Sequence, residues 1–161
     1  MSKCIRGLVL ILFLPYGQAM ADGPTKVLTE ARAVEQVLYA YEDAWSRHDA
    51  PAIAGFYYEP AMRISPNGPI VRATRAAQEE FFNGLLPELV KEGYSKSVWD
   101  HLEVRLLDDN TAIASGVVTR YRANGSVFQR QGVTYGLWRT DRGWKIFLSK
   151  THAPTAALHF R

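Results

Sequence analysis

Apolar positions recur at the spacing of a helix in the first half of the chain and alternate in the second half. Val34, Val37, Leu38, Tyr41 and Trp45 stand three or four residues apart, which lines one face of a helix. With Thr29 as N-cap and Glu30 in the first turn, where a carboxylate complements the helix dipole, the pattern predicts a first helix over residues 30–48. Asp49 caps a second, short helix in which Ile53, Phe56 and Tyr57 share a face, with Pro60 as the stop. Residues 62–64 read as a short strand, and Ser65-Pro66-Asn67-Gly68-Pro69 as a turn before Ile70-Val71. Thr74 then caps a third helix, whose apolar positions are Ala77, Phe81, Phe82, Leu85, Leu86, Leu89 and Val90. Pro87 predicts a kink there and Gly93 the end.

From Ser97 the period becomes two. Turn signals at Asp108-Asp109-Asn110, Asn124-Gly125 and Thr140-Asp141-Arg142-Gly143 divide the remainder into an antiparallel meander of four strands, residues 97–107, 111–122, 127–139 and 144–152. Three helices followed by a meander bury their apolar faces by laying the helices on one side of a curved, mostly antiparallel sheet, an α+β architecture. The alternative, a cystatin-like single helix on a sheet, leaves the third helix without a place.

The N-terminus carries Lys3 and Arg6, then seven apolar residues over 8–14, then Ala19-Met20-Ala21. This order of charge, apolar run and small residues predicts a signal peptide over residues 1–21, with a single domain over 22–161 exported to the periplasm or secreted. The run is too short for a permanent membrane anchor, which needs roughly 20 apolar residues. Cys4 leaves with the signal, so the mature domain is cysteine-free. Lys3 and Arg6 leave too, and nineteen basic residues fall to seventeen against sixteen acidic ones. A net charge of about +1 carries no electrostatic footprint for nucleic acid.

Tyr41-x-x-x-Trp45-x-x-His48-Asp49, Ile53-x-x-Phe56-Tyr57, Tyr135-Gly136-Leu137-Trp138 and Gly143-Trp144-Lys145-Ile146 resemble the NTF2-like superfamily, in particular its SnoaL-like branch. The resemblance implies a conical α+β domain with an internal pocket and a homodimer joined through the sheet; such proteins include isomerases, dehydratases, cyclases and non-enzymatic binders. Glu59-Pro60 follows the tyrosines of the second helix where many members carry acidic residues, so no catalytic residue transfers from the family.

Pairing constants estimated from the turns place Asp100, Val118, Gln131 and His152 in one transverse row with side chains on a shared face. The same alternation puts Val98, Leu102, Val104, Leu106, Val133, Tyr135, Leu137, Trp144, Ile146 and Leu148 on that more apolar side, toward the helices. One end of the interior then collects Asp100, Arg120, Gln129, Gln131, Lys150 and His152: an apolar floor with a polar mouth, the make-up of a small-molecule site. Asp100 and His152 are the candidate acid and base, and Tyr41, Trp45, Arg120, Gln131, Tyr135 and Lys150 the candidate ligand contacts. Asp100 reads first as one half of a structural ion pair with Arg120, Lys150 or His152, since ionic networks often hold carboxylates without catalysis. No spacing suggests a metal site, and neither a phosphate-cradling glycine loop nor a nucleophile elbow is present, so no cofactor is expected. Three functions remain open: a binder of a small apolar or amphipathic molecule that can carry an anionic group, a cofactor-independent acid/base enzyme (isomerase, dehydratase or hydrolase) using the same pocket, and a non-catalytic dimeric interaction protein.

Overall fold

The structure, a computed structural model, describes residues 22–160; the segment read as an export signal lies outside the described residues. Helix α1 (Asp22–Ser46) is followed by α2 (Ala50–Gly55), strands β1 (Tyr57–Ser65) and β2 (Gly68–Arg72), helix α3 (Arg75–Lys91), and strands β3 (Lys96–Leu106), β4 (Thr111–Tyr121), β5 (Val127–Thr140) and β6 (Gly143–His152). The six strands form one sheet in the order β2-β1-β6-β5-β4-β3. All neighbours are antiparallel except β1 and β6, which run parallel. Helix α1 packs on β3 and α2 on α3. Among the described residues no helix is long and apolar enough to cross a membrane.

Local chemistry explains most boundaries and two departures. Thr74 caps α3 by accepting the Ala77 N–H at 3.2 Å, and Asp49 caps α2 through Ala52 at 2.9 Å, both as the sequence predicts. Thr29, by contrast, does not cap α1: its hydroxyl bonds back to the Thr25 carbonyl at 2.9 Å, and the helix extends seven residues further toward the N-terminus than residue 29. Helix α2 stops at Gly55 with Phe56 as C-cap, so Tyr57 opens β1 instead of closing a helix. Pro60 lies within β1, where the pairing to β6 is interrupted between Tyr57 and Met62.

The core joins Val34, Leu38 and Tyr41 of α1 and Ile53 of α2 to Ala112, Ala114 and Val118 of β4, Val133 and Leu137 of β5, and Trp144 and Ile146 of β6. Its register differs from the expected one at two points. Val118 does pair with Gln131, but Trp99 occupies the place expected for Asp100, and His152 pairs with Gly132. Each shift is a β-bulge, an extra residue on one strand that reverses the alternation beyond it. Asp100 is the extra residue of β3, between Trp99 and His101. Phe147 is that of β6, since Leu137 pairs with Ile146 and Gly136 with Leu148. Inward-facing positions are therefore Ser97 and Trp99 before the first bulge, and Leu102, Val104 and Leu106 after it. On β6 they are Trp144 and Ile146, then Ser149 and Thr151. Val98 and Leu148, expected inside, face outward.

The outer face of the sheet is partly covered by the end of the chain. After a short helical turn (Pro154–Ala156) the Leu158 N–H donates to Ser115 Oγ at 2.9 Å, and the Phe160 N–H to Glu103 Oε2 at 2.7 Å. Ser115, Val117 and Thr119 are buried on this side of β4.

Candidate functional site

Between α1, α3 and the inward face of the sheet lies a cavity of about 320 Å³. Its floor is aromatic and aliphatic: Tyr41 and Trp45 from α1, Phe81, Phe82, Leu85 and Leu89 from α3, and Val133 and Tyr135 from β5. Its polar wall comes from the sheet, with Arg63 on β1, Arg72 at the end of β2, Arg120 on β4, Gln129 and Gln131 on β5, and Ser149 and Thr151 on β6. The rings meet edge to face: Tyr41 lies 5.8 Å from Tyr135 and 5.9 Å from Tyr57, and Trp45 lies 5.3 Å from Phe82.

Three guanidinium groups line this cavity, and among the described residues none of them makes an ion pair. Aromatic faces support them instead. Arg72 lies 3.7 Å and Arg63 5.5 Å from the Phe81 ring centre, and Arg120 lies 4.9 Å from Trp45 and 5.4 Å from Tyr94. Burial, then the repulsion of Arg63, lowers the Arg72 pKa from its usual value. Among the described residues no Asp or Glu contributes to the cavity lining. Two buried polar atoms at the wall, Gln78 Oε1 and Arg120 Nε, have no hydrogen-bond partner among the described residues. Buried polar atoms are nearly always paired, so these two are exceptions.

Four buried groups have their protonation set by burial: three tyrosines of the lining, and Glu42. The Tyr41 and Tyr57 hydroxyls hydrogen-bond to each other at 2.8 Å. Burial raises the pKa values of Tyr41, Tyr57 and Tyr135, so all three are neutral phenols able to donate. Glu42 is buried one residue from Tyr41, and burial raises its carboxyl to about 7 against the opposing pull of Arg120 and a hydrogen bond from Ser97.

The structure brings Tyr41, Trp45, Arg120, Gln131 and Tyr135 together around the cavity, with Gln129 beside them. Lys150 borders it too, although its pairing with Thr134 places it in the outward phase of β6. Asp100 and His152 are not there. The bulge turns Asp100 to the outer face, where Arg130 Nε and Thr119 Oγ1 each donate to Oδ2 at 2.8 Å. The expected ion pair thus exists, but with Arg130 in place of Arg120, Lys150 or His152. The second bulge does the same to His152, whose Nε2 lies 2.9 Å from Thr134 Oγ1 and whose Nδ1 lies 2.9 Å from the Ala153 carbonyl. The pair expected to share acid and base roles at the cavity mouth is therefore outside the cavity.

Arg63, Arg72, Gln78 and Glu42 escape a reading that derives the interior from the meander alone. Arg63 stands between Met62 and Ile64 in a strand too short to show a phase, and Glu42 is one more carboxylate on a helix that also carries Glu35 and Asp43.

Comparison with known proteins bears on the fold. The family described as NTF2-like protein (DUF6841) matches residues 22–154. Of solved structures, an NTF2-like protein with a cystatin-like fold from Novosphingobium aromaticivorans superposes with a TM-score of 0.70 at 16% identity, over 85% of this chain and 94% of that one. A protein described as a calcium/calmodulin dependent protein kinase II association domain, from Xanthomonas campestris, gives 0.60 at 24% identity over 89% and 97%. A ketosteroid isomerase-like protein from Erwinia carotovora atroseptica gives 0.57 at 17% over 81% and 98%. No curated protein matches the sequence.

Proposed function

Because the chain belongs to the NTF2-like protein family (DUF6841), we propose that it is an exported binding domain whose cavity holds a small amphipathic molecule bearing an anionic group. The observation that carries this reading is the set of guanidinium groups of Arg63, Arg72 and Arg120, held on aromatic faces around one cavity and, among the described residues, in no salt bridge. In a partly desolvated site, unpaired guanidinium groups favour a carboxylate or a similar planar anion, which accepts two parallel hydrogen bonds. The aromatic floor supplies apolar contact area for the rest of the guest, and Gln129, Gln131 and Gln78 supply orientation. Export rests on the order of charge, apolar run and small residues in the first 21 positions.

A direct test uses the fluorescent amphipathic anion 1-anilinonaphthalene-8-sulfonate as probe. The chain binds it saturably, and Arg72→Ala and Arg120→Ala each weaken binding about tenfold, the loss of one charge-assisted interaction. Undiminished affinity in both variants would overturn the reading. Native mass spectrometry of the chain recovered from outside the cytoplasm reports both a retained guest and the mass of the processed chain.

A second reading, a cofactor-independent acid/base enzyme, is favoured by Glu42, a buried carboxyl near 7 next to a pair of hydrogen-bonded phenols. In that version Tyr41, Tyr57 or Tyr135, which line the cavity, donates to developing negative charge, and Glu42, which lies outside the lining, moves a proton only through the hydrogen-bonded phenols. Turnover that Glu42→Gln abolishes while probe binding is kept would favour it over simple binding.

A further inference from the structure

We propose that His101, Glu103 and His159 form a surface site for a divalent transition metal of the zinc type, on the face of the sheet opposite the cavity. His101 and Glu103 are two apart on β3 beyond the bulge, so both side chains lie on the outer face. The chain end brings the third donor across the sheet. One carboxylate oxygen, Glu103 Oε1, lies 2.8 Å from His101 Nε2 and 2.9 Å from His159 Nδ1. All three donor atoms lie within 4.8 Å of one another. Zinc bonds of about 2.0–2.1 Å in tetrahedral array put neighbouring donors about 3.3 Å apart, so a few tenths of an ångström of side-chain opening admits the ion.

The donor set suits that metal. Two imidazoles and one carboxylate are borderline donors that favour zinc or copper over calcium or magnesium, and three protein ligands leave a fourth position for water. The second carboxylate oxygen is already committed: the Phe160 N–H donates to Glu103 Oε2 at 2.7 Å, which aims Oε1 at the two rings as an outer hydrogen bond aims a metal ligand. On binding, each neutral imidazole keeps its single proton on the ring nitrogen that faces away from the metal. The site ties residues 58 positions apart, the strand and the chain terminus, which is why no spacing in the sequence announces it.

The experiment is calorimetric titration of the untagged chain with zinc chloride alone near neutral pH, followed by cobalt(II) absorption. The chain takes up one zinc per molecule, and His159→Ala, His101→Gln and Glu103→Gln each weaken binding at least tenfold. His152→Ala, which removes an imidazole from the same face but outside the cluster, leaves it unchanged. Cobalt(II) gives the visible bands of a four- or five-coordinate site. Circular dichroism of the variants confirms that they are folded, since all three positions are on the surface. Absence of saturable zinc binding by the parent chain, or undiminished binding in any one of the three variants, would overturn the three-donor site.

Discussion

Glu42 shows how a single side chain couples stability to pH. Its folded value of about 7 lies above the ordinary 4.5, because burial disfavours the charged form more than Arg120 and Ser97 favour it. The folded state then binds the proton more tightly than the unfolded one. The cost of ionising Glu42 is absent below about 4.5, grows as pH rises from there to about 7, and levels off above it at about 3 kcal/mol. Glu42→Gln should match the parent in thermal stability near pH 4.5 and exceed it near pH 8. A Tm difference that does not grow across that window in paired melts would contradict this account of the buried carboxyl.

At the scale of elements, the two bulges decide what faces the cavity, and the sequence marked their positions through glycine. A Cβ on Gly116 would run into the His101 carbonyl, immediately beyond the bulge at Asp100. One on Gly136 would lie 2.7 Å from the Phe147 ring, the extra residue of β6. Mid-strand glycines are a recognised sign of close backbone approach and bulging. Without them, alternation from the turns gives the correct phase for β4, β5 and the near halves of β3 and β6, so Arg120, Gln131 and Tyr135 are found. Beyond each bulge the phase is reversed, and Asp100 and His152 are lost to the cavity. The helices were legible because their apolar faces and caps are local properties; the guanidinium groups of β1 and β2 were not, because the parallel pairing that brings β1 beside β6 joins residues far apart in sequence. Gly116→Ala should lower stability by about 2–3 kcal/mol, as for other overpacked interiors. Gly84→Ala, in α3 with open space around it, should raise stability by about 0.5–1 kcal/mol. Chemical denaturation of the pair separates close approach from helix propensity, and equal effects would remove the bulge argument.

At the scale of the molecule, the sheet divides the chain into two chemically distinct sides. The helix side holds the cavity, while the other holds the Asp100–Arg130 pair, the His101–Glu103–His159 cluster and the docked terminus. Tyr58, Pro60, Trp138 and Phe147 line a shallow apolar depression, with Trp138 40% exposed. Our proposal for this patch is contact with a second copy of the chain, which would take the exposed indole out of water. Light scattering after size-exclusion chromatography should give the mass of a dimer for the parent and of a monomer for Trp138→Glu; a monomeric parent at micromolar concentration would refute the assignment.

The displaced residue at Asp100 has an effect beyond aiming side chains. Strand β3 is the last in its sheet, with one flank of N–H and C=O groups lacking a neighbouring strand. An unbroken eleven-residue flank of that kind would be a template on which other chains could stack into fibrils, and the kink shortens it to two stubs out of phase with each other. At the far margin, five-residue β2 with Pro69 offers even less to grow from. The irregularity that hides the interior from a simple alternation rule thus also blunts the sheet margin against pairing with other chains.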